Sequence, residues 1–85
     1  MLNAEFSSKS KSFLRKAEKL IEERILGKIE GLRADPFPNG AETVKGKDGK
    51  VLRVRVGDYR IVYKVFLKEN AIVISNIGKR ENVYN

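Results

Sequence analysis

The feature that most constrains the fold is an alternation of apolar and polar residues along the last third of the chain. Short connections, Gly57-Asp58 and Lys68-Glu69-Asn70, separate three strand-like segments: residues 51–56, 59–66 and 71–77. Connections this short join neighbouring antiparallel strands, because a parallel crossover needs about a dozen residues or more. The sequence therefore predicts a three-strand antiparallel meander.

The first part of the chain has a different periodicity. Residues 2–6 alternate as a short strand does, with Leu2, Ala4 and Phe6 on one side. From Phe13 onward, apolar residues recur at helical spacing as far as the segment before Pro36, where the residue preceding a proline disfavours helix. Ser7 or Ser8 suits the N-cap of this helical region. We interpret the region as two helices with a break near residues 18–21.

Residues 35–50 contain both prolines and several glycines, which predicts a loop. The order of elements is then strand, helix, helix, loop and a three-strand meander. The predicted fold class is α+β, with residues 1–85 forming a single domain whose sheet packs on two helices.

The composition restricts the function classes. Histidine and cysteine are absent, which removes the usual transition-metal ligands, the usual proton shuttle and any thiol nucleophile. The carboxylates are scattered and no phosphate-binding glycine motif occurs, so we expect neither a metal site nor a cofactor. No apolar run approaches the ~20 residues that span a bilayer and no signal peptide is recognisable, so we expect a cytoplasmic protein that does not contact a membrane.

The charge balance points to an anionic partner. Eighteen Lys and Arg against eleven Asp and Glu give a net charge of +7, which suits a nucleic acid or an acidic protein. A domain that is basic without having an anionic partner could carry the same net charge, so the net charge alone does not distinguish the two cases.

The positions of the arginines are more informative. Because strand side chains alternate, Arg53 and Arg55 are expected on one face and Leu52, Val54 and Val56 on the other. Arg60, Lys79 and Arg80 follow in or after the later strands. A sheet face that carries several guanidinium groups is suited to holding phosphate.

Lys, Arg and Tyr side chains suffice for one type of chemistry. RNA cleavage needs no external nucleophile, because the neighbouring 2′-hydroxyl attacks the phosphate. The protein must orient that hydroxyl, stabilise charge on the phosphoryl oxygens and assist the leaving 5′-oxygen. Clustered cationic side chains perform the second task directly.

Three segments resemble the sequence pattern of RelE toxins in the RelE/ParE toxin–antitoxin superfamily. They are Leu52-Arg-Val-Arg-Val56, Gly57-Asp-Tyr-Arg-Ile-Val-Tyr63 and Ile77-Gly-Lys-Arg-Glu-Asn-Val-Tyr84, and Pro36-Phe-Pro-Asn-Gly40 matches as well. The resemblance implies a RelE-like fold, similar to that of microbial ribonucleases, across essentially the whole chain. It implies a metal-independent endoribonuclease that cleaves mRNA in the ribosomal A site by 2′-hydroxyl attack. The implied partners are the ribosome with its mRNA and a small acidic RelB-like antitoxin, in a heteromeric complex.

The resemblance also implies roles for individual residues. Arg53 and Arg55 occupy positions where the better-characterised relatives have lysine, one of which takes part in proton abstraction. Arginine is a poor base, so we interpret both as phosphate clamps, and the alternative is two solvated strand residues. Arg60 matches the arginine that stabilises the transition-state phosphate, and the alternative is a cross-strand partner for Asp58 or Glu69.

The C-terminal segment supplies the remaining positions. Arg80 matches the arginine that protonates the leaving group, Lys79 beside it is a candidate phosphate contact, and Tyr84 matches the tyrosine that stacks on the substrate base. An ordinary strand terminus and a frayed end are the alternatives. Lys45, Lys47 and Lys50 are candidate contacts to ribosomal RNA, and Tyr59 and Tyr63 are expected to face the core.

The sequence is compatible with two other functions. A ParE-like protein of the same fold inhibits DNA gyrase without cleaving RNA, and a relative that binds RNA with little catalysis is also compatible with arginine at both lysine positions.

Overall fold

The computed structural model of the chain describes residues 1–44 and 51–79. The described elements, in chain order, are β1 (Asn3–Phe6), α1 (Ser8–Lys16), α2 (Lys19–Ala34), β2 (Glu42–Val44), β3 (Val51–Val56), β4 (Tyr59–Phe66) and β5 (Ala71–Lys79). The predicted α+β class and the predicted order of strand, two helices and meander are confirmed. In the described ranges, both helices fall short of the length and apolarity that crossing a membrane would require.

The strands form one sheet in the order β1-β5-β4-β3-β2. Strands β3, β4 and β5 pair antiparallel, as predicted from their short connections, and β1 pairs parallel with β5 at the sheet edge. The prediction of an uninterrupted loop over residues 35–50 was wrong, because β2 pairs antiparallel with β3. The meander therefore has a fourth strand. A three-residue strand is too short to show an alternating pattern, and only its pairing with β3 reveals it.

The helical region divides where the sequence suggested. Helix α1 ends before Ala17 and α2 begins after Glu18, at the start of the predicted break. Ser7 is the N-cap of α1, and its hydroxyl accepts a hydrogen bond of 3.1 Å from the amide of Ser10. Helix α2 ends at Ala34, before Pro36, as the proline requires.

The core lies between one face of the sheet and helix α2. Ile25, Ile29 and Leu32, spaced one helical turn apart, are buried against the sheet. Their partners are the inward-facing residues of the strands, among them Leu52, Val54, Ile61, Tyr63, Ile72, Ile74 and Ile77. Because the centre of this face is apolar, the charged side chains of β3 are left to the opposite face of the meander.

A pair of serines fixes α1 to β5. The Ser10 hydroxyl, which is fully buried, donates to the Ile74 carbonyl at 2.9 Å, and the Ser7 hydroxyl donates to the Ser75 carbonyl at 2.7 Å. These carbonyls lie at an irregularity in the β4–β5 ladder, where Tyr63 pairs with Ile74 but Val62 pairs with Asn76. Ser75 is the extra residue, so the serines supply partners at a point where the ladder is interrupted.

The turn between β3 and β4 depends on glycine. Gly57 has a φ of 59°, which places it in the left-handed region where a side chain is strained. A Cβ added at Gly57 would also lie 3.2 Å from an Nη atom of Arg24 on α2. This tight turn keeps β3 and β4 in register and so determines which of their side chains face each other.

Candidate functional site: an arginine-rich sheet face

Three arginines lie on the sheet face opposite the helices. Arg53 and Arg55 alternate along β3 with the buried Leu52 and Val54, as predicted. Arg60 on β4 pairs directly with Arg55 and therefore points to the same side. We call this set of three side chains, Arg53, Arg55 and Arg60, the arginine face.

The pairing of Arg55 with Arg60 is electrostatically unfavourable for the isolated protein. Directly opposite residues in an antiparallel pair have Cβ atoms about 4.5–5.5 Å apart, and like charges in these positions destabilise a sheet. On its other side Arg60 pairs with Gly78 of β5, which adds no side chain there. The half-buried Arg60 thus has a cationic neighbour on β3 and a glycine opposite it on β5. A cluster of cations on one face attracts anions.

One carboxylate reaches this face from the edge strand. Glu42 on β2 pairs with Arg53 in the ladder, and its Oε1 accepts from Arg53 Nε at 2.7 Å. Arg53 Nη2 lies 2.7 Å from the same oxygen. Residues 42–44 lack an alternating pattern, so Glu42 could not be placed on this face before the β2–β3 register was known.

The arginines determine the ionisation of Glu42. The hydrogen bond from Arg53 lowers the pKa of Glu42 below its ordinary value, and the charge of Arg53 lowers it further. Burial acts weakly in the other direction, and the charges of Arg60 and then Arg55 add smaller decreases. Glu42 is therefore an ionised carboxylate at neutral pH, in the field of all three arginines.

The tyrosines of β4 face the core, as predicted. Tyr63 is fully buried, and its hydroxyl donates to the Pro36 carbonyl at 2.8 Å. Burial raises the pKa of Tyr63 to about 12, and the charge of Asp35 acts in the same direction. Tyr59 packs edge-on against Phe13 of α1 with ring centroids 5.7 Å apart.

Lys79 lies on the other side of the sheet. It pairs with Tyr59, whose side chain packs against α1, so the two share the helix-facing side rather than the arginine face. There it lines an open groove between the helices and β5, together with Lys9 and Lys16 of α1. The floor of this groove is apolar and includes Phe13, Ile21, Tyr59 and Ile77. We call it the α1–β5 groove.

Five of the residues predicted from the sequence lie outside the described ranges: Lys45, Lys47, Lys50, Arg80 and Tyr84. The described site therefore consists of the arginine face and Glu42.

Comparison with known proteins places this fold in one family. The family model described as the ParE toxin of the type II toxin–antitoxin system, parDE, matches residues 4–84. A toxin candidate of Methanocaldococcus jannaschii, RelE1, is 37% identical over 59 residues, which cover 66% of this chain and 64% of that protein. The match thus spans less than two thirds of that relative.

Solved structures share the fold at lower identity. The RelE chain of the Pyrococcus horikoshii RelE–RelB complex superposes with a TM-score of 0.80 at 24% identity, covering 96% of this chain and 98% of that one. The isolated RelE toxin of Escherichia coli gives 0.82 at 17% identity, covering 99% and 89% respectively. The intact E. coli RelBE complex gives 0.82 at 18% identity, covering 96% and 100%. The likeness to RelE toxins inferred from the sequence pattern is thereby confirmed.

Proposed function

This chain belongs to the ParE toxin family of type II toxin–antitoxin systems, and we propose that it is a RelE-type endoribonuclease that cleaves mRNA in the ribosomal A site. In this proposal residues 1–85 form one toxin domain that acts in the cytoplasm, where its substrate is. Cleavage proceeds by attack of the 2′-hydroxyl on the adjacent phosphate and requires no metal.

The observation that supports this proposal most strongly is the pairing of Arg55 with Arg60 on the arginine face. Two directly opposed guanidinium groups concentrate positive charge on one face, and guanidinium groups bind phosphate oxygens through charge-assisted hydrogen bonds. Arg53 and Arg55 act as clamps for the RNA phosphates. Arg60, half-buried and beside Gly78, stabilises the charge that develops on the phosphoryl oxygens.

The residues outside the described ranges complete the proposed site by resemblance to the family. Arg80 protonates the leaving 5′-oxygen, and Tyr84 stacks on a base beside the scissile phosphate. Lys45, Lys47 and Lys50 contact ribosomal RNA. Lys79 lies on the helix-facing side of the sheet. In this proposal it therefore contacts an RNA phosphate other than the one that is cleaved.

We also propose a small acidic RelB-like antitoxin as partner. The α1–β5 groove has the chemistry for one of its segments, since apolar residues form the floor and three lysines, Lys9, Lys16 and Lys79, outnumber the one carboxylate, Glu18, among the described residues around it. An amphipathic acidic segment would bury its apolar side there and pair its carboxylates with the lysines. Co-purification from the native cells should recover a small acidic protein; a toxin that elutes alone at every salt concentration would contradict this partner.

A second candidate function follows from the family itself. Because the matching family model is that of ParE toxins, inhibition of DNA gyrase is the alternative. Gyrase inhibition gives no reason to oppose Arg55 and Arg60 on one face, whereas phosphate binding does.

Expression in bacterial cells separates the two functions. The proposal predicts arrest of translation, with mRNA cut inside codons on ribosomes, and loss of the cuts in Arg60→Gln. Arg15→Gln, an exposed arginine of α1, is the matched control and should cut as the wild type does. Intact mRNA together with a DNA-damage response would favour gyrase as the target instead.

A further inference from the structure

Cleavage by 2′-hydroxyl attack requires a group that removes the hydroxyl proton, and the arginine face poses a problem in this respect. A guanidinium group has five N–H donors and no acceptor atom, so Arg53 and Arg55 are poor candidates for this role. A carboxylate, by contrast, is ionised at neutral pH and has a free pair of electrons to take one up.

Resting on the nuclease function proposed above, we infer that Glu42 is the general base of the reaction. The carboxylate lies beside the arginine face, with Oε1 2.7 Å from Arg53 Nε and 2.7 Å from Arg53 Nη2. A phosphate held by Arg53 therefore has its ribose next to Glu42. These two contacts use Oε1, and we assign Oε2 to the proton.

The surroundings of Glu42 suit this role. From β3 it faces Arg53 and Arg55, and from β4 it faces Arg60, each of which favours its ionised form. The lowered pKa weakens the carboxylate as a base but keeps it deprotonated throughout the neutral range. Its side chain is 61% exposed although it is paired, so a ribose can approach it.

Other groups on this side of the sheet are less well placed. Glu5 of β1 pairs with Val73 of β5, and β5 and β4 lie between it and β3. With about 4.8 Å between neighbouring strands, Glu5 is roughly 14 Å from the row of Arg53 and Arg55. Lys64 lies on the same side of the sheet, four residues after Arg60 along β4. It pairs with Val51 at the start of β3, whereas Arg60 pairs with Arg55 near the end of that strand.

The proposed step conserves atoms and charge. The 2′-hydroxyl oxygen forms a bond to phosphorus while its proton passes to Glu42 Oε2. The bond between phosphorus and the 5′-oxygen breaks, and that oxygen takes a proton from Arg80, as the family resemblance implies, or from water. The products are a 2′,3′-cyclic phosphate and a 5′-hydroxyl. Glu42 then releases its proton to solvent, and the proton donor, Arg80 or water, takes one up, which restores the site.

The inference is tested by single-turnover cleavage of mRNA on purified ribosomes with wild type and Glu42→Gln. The amide keeps an oxygen acceptor for Arg53 but cannot take the proton, so we expect cleavage to slow by about 100-fold or more. Binding to ribosomes should be unchanged or slightly tighter, because a negative charge is removed from a cationic face. The matched control is Glu30→Gln, since Glu30 is also 61% exposed and pairs with Arg33 at 2.8 Å on α2; its rate should stay within about twofold of the wild type, as is usual for an exposed pair.

The pH dependence gives a second readout that a merely structural ion pair would not provide. With Glu42 as base, the wild-type rate should be level between about pH 6 and 9, since the carboxylate is already ionised there. A rate that rises tenfold per pH unit over this range would show that the base is not a group already ionised there, and would overturn the inference. A Glu42→Gln variant as active as the wild type would overturn it as well. A wild type that leaves ribosome-bound mRNA intact would overturn the nuclease function itself, and this inference with it.

Discussion

Replacing Arg55 by glutamine should make the protein more stable and less active at the same time. Arg55 and Arg60 are directly opposed in the β3–β4 ladder, and Gln removes one charge while keeping a long polar side chain. The attraction to Glu42 lost with Arg55 is small, because Arg55 makes the smallest of the contributions that lower the pKa of Glu42. Relief of the repulsion should therefore dominate.

The magnitude follows from the direct pairing of the two residues across the ladder. For directly opposed long side chains we take a charge separation of about 7 Å, at which two like charges in a medium close to water repel by ~0.6 kcal/mol. This value lies within the range of about 0.2–1 kcal/mol for cross-strand pairs. A domain of this size shifts its melting temperature by about 4–8 °C per kcal/mol. Arg55→Gln should thus raise Tm by about 2–5 °C at low ionic strength. At 1 M salt, where the screening length is only about 3 Å, most of the gain should disappear.

Thermal unfolding followed by circular dichroism in low and high salt measures this effect. Arg15→Gln is the control, since it lowers the net charge equally at an exposed position in the last turn of α1 and should not stabilise the protein. Arg55→Lys, which keeps the charge, should melt close to the wild type. The reasoning would be refuted if Arg55→Gln melted at or below the wild-type temperature in low salt, or if its gain were independent of salt.

Three further substitutions test the fold that positions the site. Ile29→Ala removes most of a side chain that is 2% exposed and should lower the free energy of unfolding, measured in urea, by about 2–5 kcal/mol. The control Leu20→Ala, at a position 70% exposed, should change that free energy by less than about 0.5 kcal/mol. Equal losses in the two variants would contradict the assigned core. Tyr63→Phe loses the hydrogen bond to Pro36 and should cost about 1 kcal/mol at neutral pH. The pKa of Tyr63 is raised to about 12 in the folded protein and is about 10 in the unfolded one, so the neutral phenol contributes stability below about pH 10 that is lost as the pH rises toward 12. Denaturant unfolding should therefore show a steeper loss of stability at alkaline pH in the wild type than in Tyr63→Phe. Parallel curves for the two proteins would be inconsistent with a buried phenol. Gly57→Ala places a side chain on a residue with a φ of 59° and should lower the free energy of unfolding by about 1–2 kcal/mol. Most of this loss should persist when Arg24 is also replaced by Ala, because the flexible end of Arg24 can move away from the new methyl group. Complete recovery of stability in the double variant would assign the loss to the contact with Arg24 instead.

The sequence was sufficient to predict the helices and strands in which apolar residues recur at a regular spacing. The turn at Gly57-Asp58 permits only a tight hairpin, and strand β4 has the predicted bounds, Tyr59–Phe66. Strand β2 (Glu42–Val44) was missed because three residues after a glycine-containing segment carry no period. The extra residue Ser75 in β5 was also not predictable, because the hydroxyls that compensate for it come from α1, more than sixty residues earlier in the chain.

The candidate site divides in the same way. Alternation within a single strand placed Arg53 and Arg55 on one face, and this needed no knowledge of neighbouring strands. Glu42 was not recognised, since its place beside Arg53 depends on the register of β2 with β3. Lys79 is next to Arg80 in sequence, but the register with Tyr59 turns it to the helix-facing side. Contacts between strands are thus the part of the site that local sequence cannot supply.

The most direct test of the account is the chemistry of the ends produced on ribosome-bound mRNA. Attack by the 2′-hydroxyl within a phosphate bound by Arg53, Arg55 and Arg60 predicts a 2′,3′-cyclic phosphate on the upstream fragment and a 5′-hydroxyl on the downstream one. Arg60→Gln should lower the yield of both without changing the nature of the ends. Fragments with a 5′-phosphate, or mRNA that stays intact on ribosomes saturated with the protein, would contradict the account.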